Sequence, residues 1–285
     1  MLASEDLFSL DALVWLQSGQ RAGALVGAHQ STMSRRSREC LQRLGMTLEQ
    51  CDGSDPQEPL QELLLMEREL HQQHRLRGGA PLRLHANYWV RSALLQSLPD
   101  GWIAPEPERV KPHSEPLRLL AAGIVDAALL SGPEVHDLDR QRWSVITIAT
   151  LPLQILMPEA HPLAVEWGLA GADLADLDPL TFSAVVPESV QRVMGHHYRH
   201  LGAGRLARRS SAAEMPSPCM ATAFTRHLWP GYRALDLALP LLASDHLVVR
   251  RELAWGARLE PLLAQLRQRL QSLEPQVCGL RCLLP

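Results

Sequence analysis

The stretch whose reading decides the fold is "GAHQSTMSRRSRECLQRLG", Gly27–Gly45. Met33, Cys40, Leu41 and Leu44 recur at helical spacing and form an inward stripe. Ser31, Thr32, Arg35, Arg36, Glu39 and Arg43 fall on the other side. Four arginines lie within Ser34–Arg43, in a chain whose formal net charge is −3. The pattern predicts a helix over Gln30–Arg43 with a basic, hydroxyl-rich outer face. Such a face is either shaped to enter a nucleic-acid groove or is only a solvated surface.

Working outward, residues 5 to 45 read as three short helices. In "DLFSLDALVWLQ" the positions Leu7, Leu10, Leu13, Val14 and Leu16 make a helical stripe, and Ser18-Gly19 is expected to end it. "QRAGALVGA" is the second helix, with Ala22, Gly23 and Ala24 allowing close approach. On the C-terminal side, "MTLEQCDGSDPQEP" is a polar break with Asp-Gly and two prolines. "LQELLLMERELHQQHRLR" then predicts a long helix whose broad apolar side carries Leu60, Leu63, Leu64, Met66, Leu70 and the stem of Arg77. That pattern suits a linker helix paired with another helix. "GGAP", residues 78–81, is a hinge-like boundary.

From Leu82 the texture becomes strand and helix in alternation. "PLRLHA" predicts a strand and "VRSALLQSL" a helix. "SEPLRLLAAGIVDAALLSG" predicts a helix, a turn at Gly123 and a strand over Val125–Leu130. "WSVITIAT", "LQILMP" and "PLTFSAVV" read as strands, and "ESVQRVMGHHYRHLG" as a helix. "RLARRSSA" is expected to be a strand and "SPCMATAFTRHL" a helix. "ALDLALPLL" and "HLVVRREL" read as strands, and "RLEPLLAQLRQRLQSL" as a closing helix. Alternation of this kind implies a mainly parallel sheet with helices on both faces, long enough to form two similar lobes.

Composition narrows the function classes. At 285 residues, with 46% hydrophobic and 21% charged residues, the chain reads as an ordinary globular protein with sizeable cores. Near-neutral charge excludes a generally polybasic protein, so any nucleic-acid site must be local. Lys111 is the one lysine among 28 basic residues, a bias that fits a GC-rich bacterial genome. The five cysteines are odd in number and scattered, which argues against a disulfide scaffold. The acidic N-terminus "MLASEDLFSL" lacks a signal-peptide pattern, and no apolar run is long enough to span a membrane. A cytoplasmic location and no membrane partner are expected.

Several motifs stand in one order along nearly the whole chain. His29-Gln30-Ser31-Thr32-Met33-Ser34 opens the third helix, which closes on Leu41…Leu44-Gly45. "RLLAAGIVDAALLSG" sets Gly123 and Asp126 between helix and strand. "LPLQILMPEAHPLA" carries a His-Pro-Leu turn, and "DLADLDPLTF" follows. In this order they resemble the LysR-type transcriptional regulators. The resemblance implies an α/β protein with an N-terminal all-α helix-turn-helix domain, a long linker helix and a two-lobed periplasmic-binding-like effector domain. The implied boundaries are 1–57 for the (winged) helix-turn-helix, 58–78 for the linker and dimerisation helix, and 79–285 for the effector domain. Within the last, lobe I covers about 79–155 and 240–285, and lobe II about 156–239. Two departures stand out. The stretch after Gly45 lacks the family's wing residues and carries Glu49, Asp52, Asp55 and Glu58, charges that repel phosphate. The family's Gly-x-Gly-x-x-x-Leu-Pro signature is replaced by "FTRHLWPGYRALDLALP".

A helix fits the major groove, where short polar side chains and arginine read base edges. The candidate DNA-binding residues are Gln30, Ser31, Thr32, Ser34, Arg35, Arg36 and Arg38, with Ser34 and Arg38 suited to phosphate. Ligands of open α/β sheets sit beyond the carboxyl ends of strands. That rule gives effector candidates Asn87, Tyr88, Trp89, Ser131, Val186, Ser189 and Ser217, which serve equally as turn and capping residues. His196, His197 and His200 include one i, i+4 pair, His196 with His200, for which no third ligand is apparent, and Cys278 and Cys282 lack metal-site spacing. No metal, cofactor or catalytic constellation is expected. The implied partners are double-stranded promoter or operator DNA, a small-molecule effector, a second copy in a homodimer or homotetramer, and RNA polymerase. Two other readings stay open. One is a family-derived ligand-sensing or protein-interaction protein with weakened DNA binding. The other is an enzyme on a periplasmic-binding-like fold, which would need a nucleophile and base that the sequence does not display.

Overall fold

The structure is a computed structural model that describes residues 2–52, 59–86, 88–106, 114–135, 138–159, 219–224, 226, 230–234, 242–254 and 256–285. The elements expected in "PLTFSAVV", "ESVQRVMGHHYRHLG" and "RLARRSSA" lie outside these residues. The chain divides into two compact units. One comprises Met1–Leu130, Asp139–Ile146 and Leu247–Gln265; the other comprises Ser131–Leu138, Thr147–His246 and Leu266–Pro285.

The first unit opens with α1 (Ser4–Leu16), α2 (Gly19–Val26) and α3 (Gln30–Leu44). α1 stops one residue before Ser18, at Gln17 in the left-handed conformation, whose N–H reaches the Leu13 carbonyl. Ser18 does not terminate α1 but caps α2: its hydroxyl accepts from Arg21 N at 3.4 Å. The expected stripe understates the burial of α1. Asp6, Ser9, Asp11, Ala12 and Trp15 are buried along with Leu7, Leu10, Val14 and Leu16. Only Ser4 and Glu5 are exposed and Phe8 and Leu13 half-buried, so most of the helix surface is packed inside its unit.

Between α3 and α4 (Pro59–Leu76) the described residues form no strand, only a 3-10 turn at Glu49–Asp52, with Met46 and Cys51 buried. α4 packs into its unit mainly through polar residues. Its buried face is Gln61, Leu64, Arg68, Gln72 and Arg75, while Leu63, Met66 and Leu70 are exposed. The polar face can be buried because its charges are paired. Arg68 Nε donates to Asp11 Oδ1 at 2.8 Å and Arg68 Nη2 to the Cys51 carbonyl at 3.2 Å. Arg75 grips Asp126 through Nε to Oδ2 at 2.8 Å and Nη2 to Oδ1 at 2.9 Å, and Gln72 Nε2 donates to the same carboxylate at 2.9 Å. Buried charges persist only with such pairing.

Next come β1 (Leu82–Ala86), α5 (Tyr88–Leu94), the short β2 (Trp102–Ile103), α6 (Ser114–Ala121) and β3 (Ala127–Ser131). β1 closes the charge network. Arg83 Nη1 donates to Asp11 Oδ2 at 2.7 Å and to the Ile124 carbonyl at 3.0 Å, and its guanidinium lies 4.3 Å over the Phe8 ring. Trp15 Nε1 donates to His85 Nδ1 at 3.0 Å, both side chains being buried. α1 is therefore fixed to β1 as well as to α4. The "GGAP" boundary is clamped: Arg258 donates to the carbonyls of Arg75, Ala80 and Gly101.

β4 (Trp143–Pro152), β5 (Gln154–Pro158), β6 (Cys219–Ala221), β7 (Tyr232–Ala234), β8 (Leu242–Arg250), α7 (Arg251–Ala254), α8 (Glu260–Leu273) and β9 (Arg281–Cys282) complete the described elements. One sheet has the order β2-β1-β3-β8-β4-β9 and a second the order β6-β5-β7. The expected parallel pairing holds for β1 with β2 and β3. β4 with β9, and β5 with β6 and β7, run antiparallel. The start of "SPCMATAFTRHL" is not a helix but β6, because Cys219–Ala221 pair with Gln154–Leu156 and gain ladder hydrogen bonds there. In the second unit, buried Leu156 and Ala221 form an apolar cluster with Tyr232 and Ala234 packed against it.

Candidate functional site

Three residues of the α2–α3 turn region set the pose of α3. Gly27, at the end of α2, has φ +67°, a left-handed conformation that favours glycine. At Gly23 a Cβ would lie 2.4 Å from the Ala28 carbonyl oxygen, so only glycine lets the chain turn so tightly from α2 to α3. His29 then caps α3: Nδ1 accepts from Ser31 N at 3.3 Å and lies 2.8 Å from Ser31 Oγ.

Met33, Ser37 and Cys40 are the buried face of α3. Gln30, Ser31, Arg35 and Arg38 are exposed, while Thr32, Ser34 and Arg36 are half-buried. The sequence-derived residues thus share the outer side of one helix, but they are not equivalent. Ser31 takes part in the cap. Gln30 lies over Gly19, where a Cβ would come within 2.9 Å of Gln30 Cγ. Arg36 pairs with Glu5 of α1, and Arg43 stands 3.8 Å from Asp6. Arg35 and Arg38 have no ion-pair or hydrogen-bond partner among the described residues. They are the cations of this face that an incoming anion meets unneutralised. The pairing of Arg36 was not legible in the sequence, since Glu5 lies 31 positions upstream of it.

Of the ligand candidates, Asn87, Val186, Ser189 and Ser217 lie outside the described residues. Tyr88 and Trp89 open α5. Ser131 ends β3, and its hydroxyl donates to Asp245 Oδ1 at 2.6 Å. On the following residue of β8, His246 lies between Ser244 Oγ, 2.8 Å from Nε2, and Thr147 Oγ1, 3.1 Å from Nδ1. Sequence reasoning did not bring Asp245 to Ser131, because the two are 114 positions apart. In the first unit a cleft of about 310 Å³ is lined by Arg21, Leu25, Leu98, Trp102, Ile103 and Glu106. Among the described residues no group of three His, Cys, Asp or Glu could hold a metal ion. No helix among them is long and apolar enough to cross a membrane.

No protein-family model and no curated protein matches the chain. Solved structures do. A full-length OxyR variant from Pseudomonas aeruginosa is 15% identical, with 94% of this chain and 95% of that chain covered and a TM-score of 0.45. CbnR, described as a LysR family transcriptional regulator, is 15% identical over 93% of this chain and 98% of that chain, with a TM-score of 0.47. Full-length CbnR in complex with its target DNA gives the same identity and coverage and a TM-score of 0.49.

Proposed function

We propose that the chain is a DNA-binding transcriptional regulator of LysR type, sequence-specific for a promoter site and modulated by a small-molecule effector. The observation that carries this reading is the outer face of α3. Arg35 and Arg38 stand exposed and unneutralised beside the exposed Gln30 and Ser31, on a helix whose pose is fixed by Gly23, Gly27 and the His29 cap. Such a face enters a major groove with arginine on guanine or phosphate and Gln30 on adenine. The division of labour follows the boundaries read from the sequence: 1–57 for DNA, 58–78 for dimerisation, 79–285 for the effector.

The exposed stripe Leu63, Met66 and Leu70 on α4 supports pairing with a second copy in a homodimer or homotetramer. Two α3 helices held this way read half-sites about one DNA turn, roughly 34 Å, apart. Effector binding shifts the oligomer's geometry and so the promoter output, directly or through RNA polymerase. The protein works in the cytoplasm as a regulator and not as an enzyme.

Gel shifts against the DNA upstream of its own gene test the reading. Wild type is expected to shift one fragment specifically. Arg35→Ala with Arg38→Ala is expected to weaken the complex by roughly 1–3 kcal/mol per lost contact and flatten its salt dependence. Equal binding by the double variant, or no sequence-specific shift at any salt, refutes it. A second reading, a ligand-sensing or protein-interaction protein with weak DNA affinity, is favoured by the pairing of Arg36 and Arg43 to acids of α1. Under that reading the double variant keeps full function in the cell.

A further inference from the structure

Arg91 differs from the other buried arginines of its unit. Arg68, Arg75 and Arg83 each hold a carboxylate at 2.7–2.8 Å and at least one backbone carbonyl. Arg91, on α5, is 8% exposed, and its Nε and Nη1 are buried without an acceptor. Its guanidinium makes no hydrogen bond or ion pair with any described residue. Burial lowers its basicity, and the field of Glu106 alone opposes that effect. Glu106 is exposed and does not bond to it.

A buried guanidinium left without a counter-charge is strongly disfavoured, because desolvation is not repaid. Unpaired N–H groups of this kind are matched by the acceptor oxygens of a small anion. The place is suitable too: α5 directly follows the carboxyl end of β1, the edge at which open α/β sheets receive ligands. We infer that Arg91 is the anchor of a binding site for a small oxygen-bearing anion, a carboxylate or a tetrahedral oxyanion. The site stands whether or not α3 binds DNA.

Thermal unfolding of the full chain at constant ionic strength tests this, with chloride replaced stepwise by acetate or benzoate, or by phosphate or sulfate. Wild type is expected to show a saturable rise in Tm with one of the two anion classes, and the class that acts names the ligand chemistry. Arg91→Met is expected to lose the rise while keeping a basal Tm no lower than wild type, since it removes an uncompensated charge. Arg91→Lys keeps the charge but loses the planar fork, and is expected to weaken apparent affinity roughly tenfold. Glu106→Gln removes a competing negative charge and should tighten it roughly two- to fivefold. No anion-specific rise in wild type overturns the inference. So does a rise retained by Arg91→Met, or a matching fall in basal Tm for Arg91→Met and Glu106→Gln, which would make the two a direct pair.

Discussion

Replacing Asp11 with alanine removes the carboxylate shared by two buried guanidinium groups. Asp11 Oδ1 accepts from Arg68 Nε at 2.8 Å and Oδ2 from Arg83 Nη1 at 2.7 Å. The side chains of Asp11 and Arg68 are 1% exposed and that of Arg83 is 5% exposed, so water does not take over the lost bonds. Breaking a buried pair from one side costs about 3–5 kcal/mol. The orphaned arginines keep some support: Arg68 retains the Cys51 carbonyl, and Arg83 the Ile124 carbonyl and the Phe8 ring. We therefore expect a loss of about 3–4 kcal/mol. With a urea m-value of roughly 3 kcal/mol/M, the unfolding midpoint falls by roughly 1 M. Circular dichroism and tryptophan fluorescence, recorded together, read that midpoint and check that the two probes coincide. Asp11→Asn keeps the volume and one acceptor oxygen, and should lose less. Replacing all three groups (Asp11→Leu, Arg68→Met and Arg83→Met) should recover most of the deficit, because the charges to be compensated are gone. A midpoint for Asp11→Ala within about 0.3 M of wild type would refute the reasoning.

Three further outcomes follow from the same geometry. Gly23→Ala should cost about 2–3 kcal/mol and weaken DNA binding, since its Cβ falls 2.4 Å from the Ala28 carbonyl; unchanged Tm and affinity would show that the turn can open. Burial, with the charges of Asp11, Cys51 and Asp6, pushes the Cys40 thiol up to about 12, whereas Cys278 is exposed. Maleimide at pH 8, followed by peptide mapping, should label Cys40 on the order of a thousandfold more slowly than Cys278 until the chain is unfolded, and equal rates would sink the placement. Glutamates at Leu63, Met66 and Leu70 together should give a monomer in light scattering with Tm nearly unchanged, because all three are exposed; a wild type already monomeric at micromolar concentration would contradict the pairing.

Much of the local order was legible along the chain. The three-helix start, the glycine turns, the helix over Pro59–Leu76 and the helix and strand on either side of Gly123 all follow from periodicity and punctuation. Errors arose where a partner distant in sequence decides. Cys219–Ala221 carries no strong strand signal of its own and becomes a strand because β5 offers it a ladder. The candidate site divides the same way. The outward set on α3 was visible from helical spacing, whereas the neutralisation of Arg36 by Glu5 and the meeting of Ser131 with Asp245 required the fold.

α4 gives the clearest separation. The sequence by itself determined that residues 59–76 form a helix with an apolar stripe and a polar one, because backbone period and side-chain chemistry are local. Only the tertiary structure decided which stripe goes inside. Arg68, Gln72 and Arg75 are buried because Cys51, Gly123, Asp126 and Asp11 of α1 bring acceptors to them, and Gln61 because the Gln50 carbonyl does. Leu63, Met66 and Leu70 are left facing outward. The hydrophobic pattern measures the cost of meeting water, but it cannot register a distant carboxylate that makes burying an arginine tolerable.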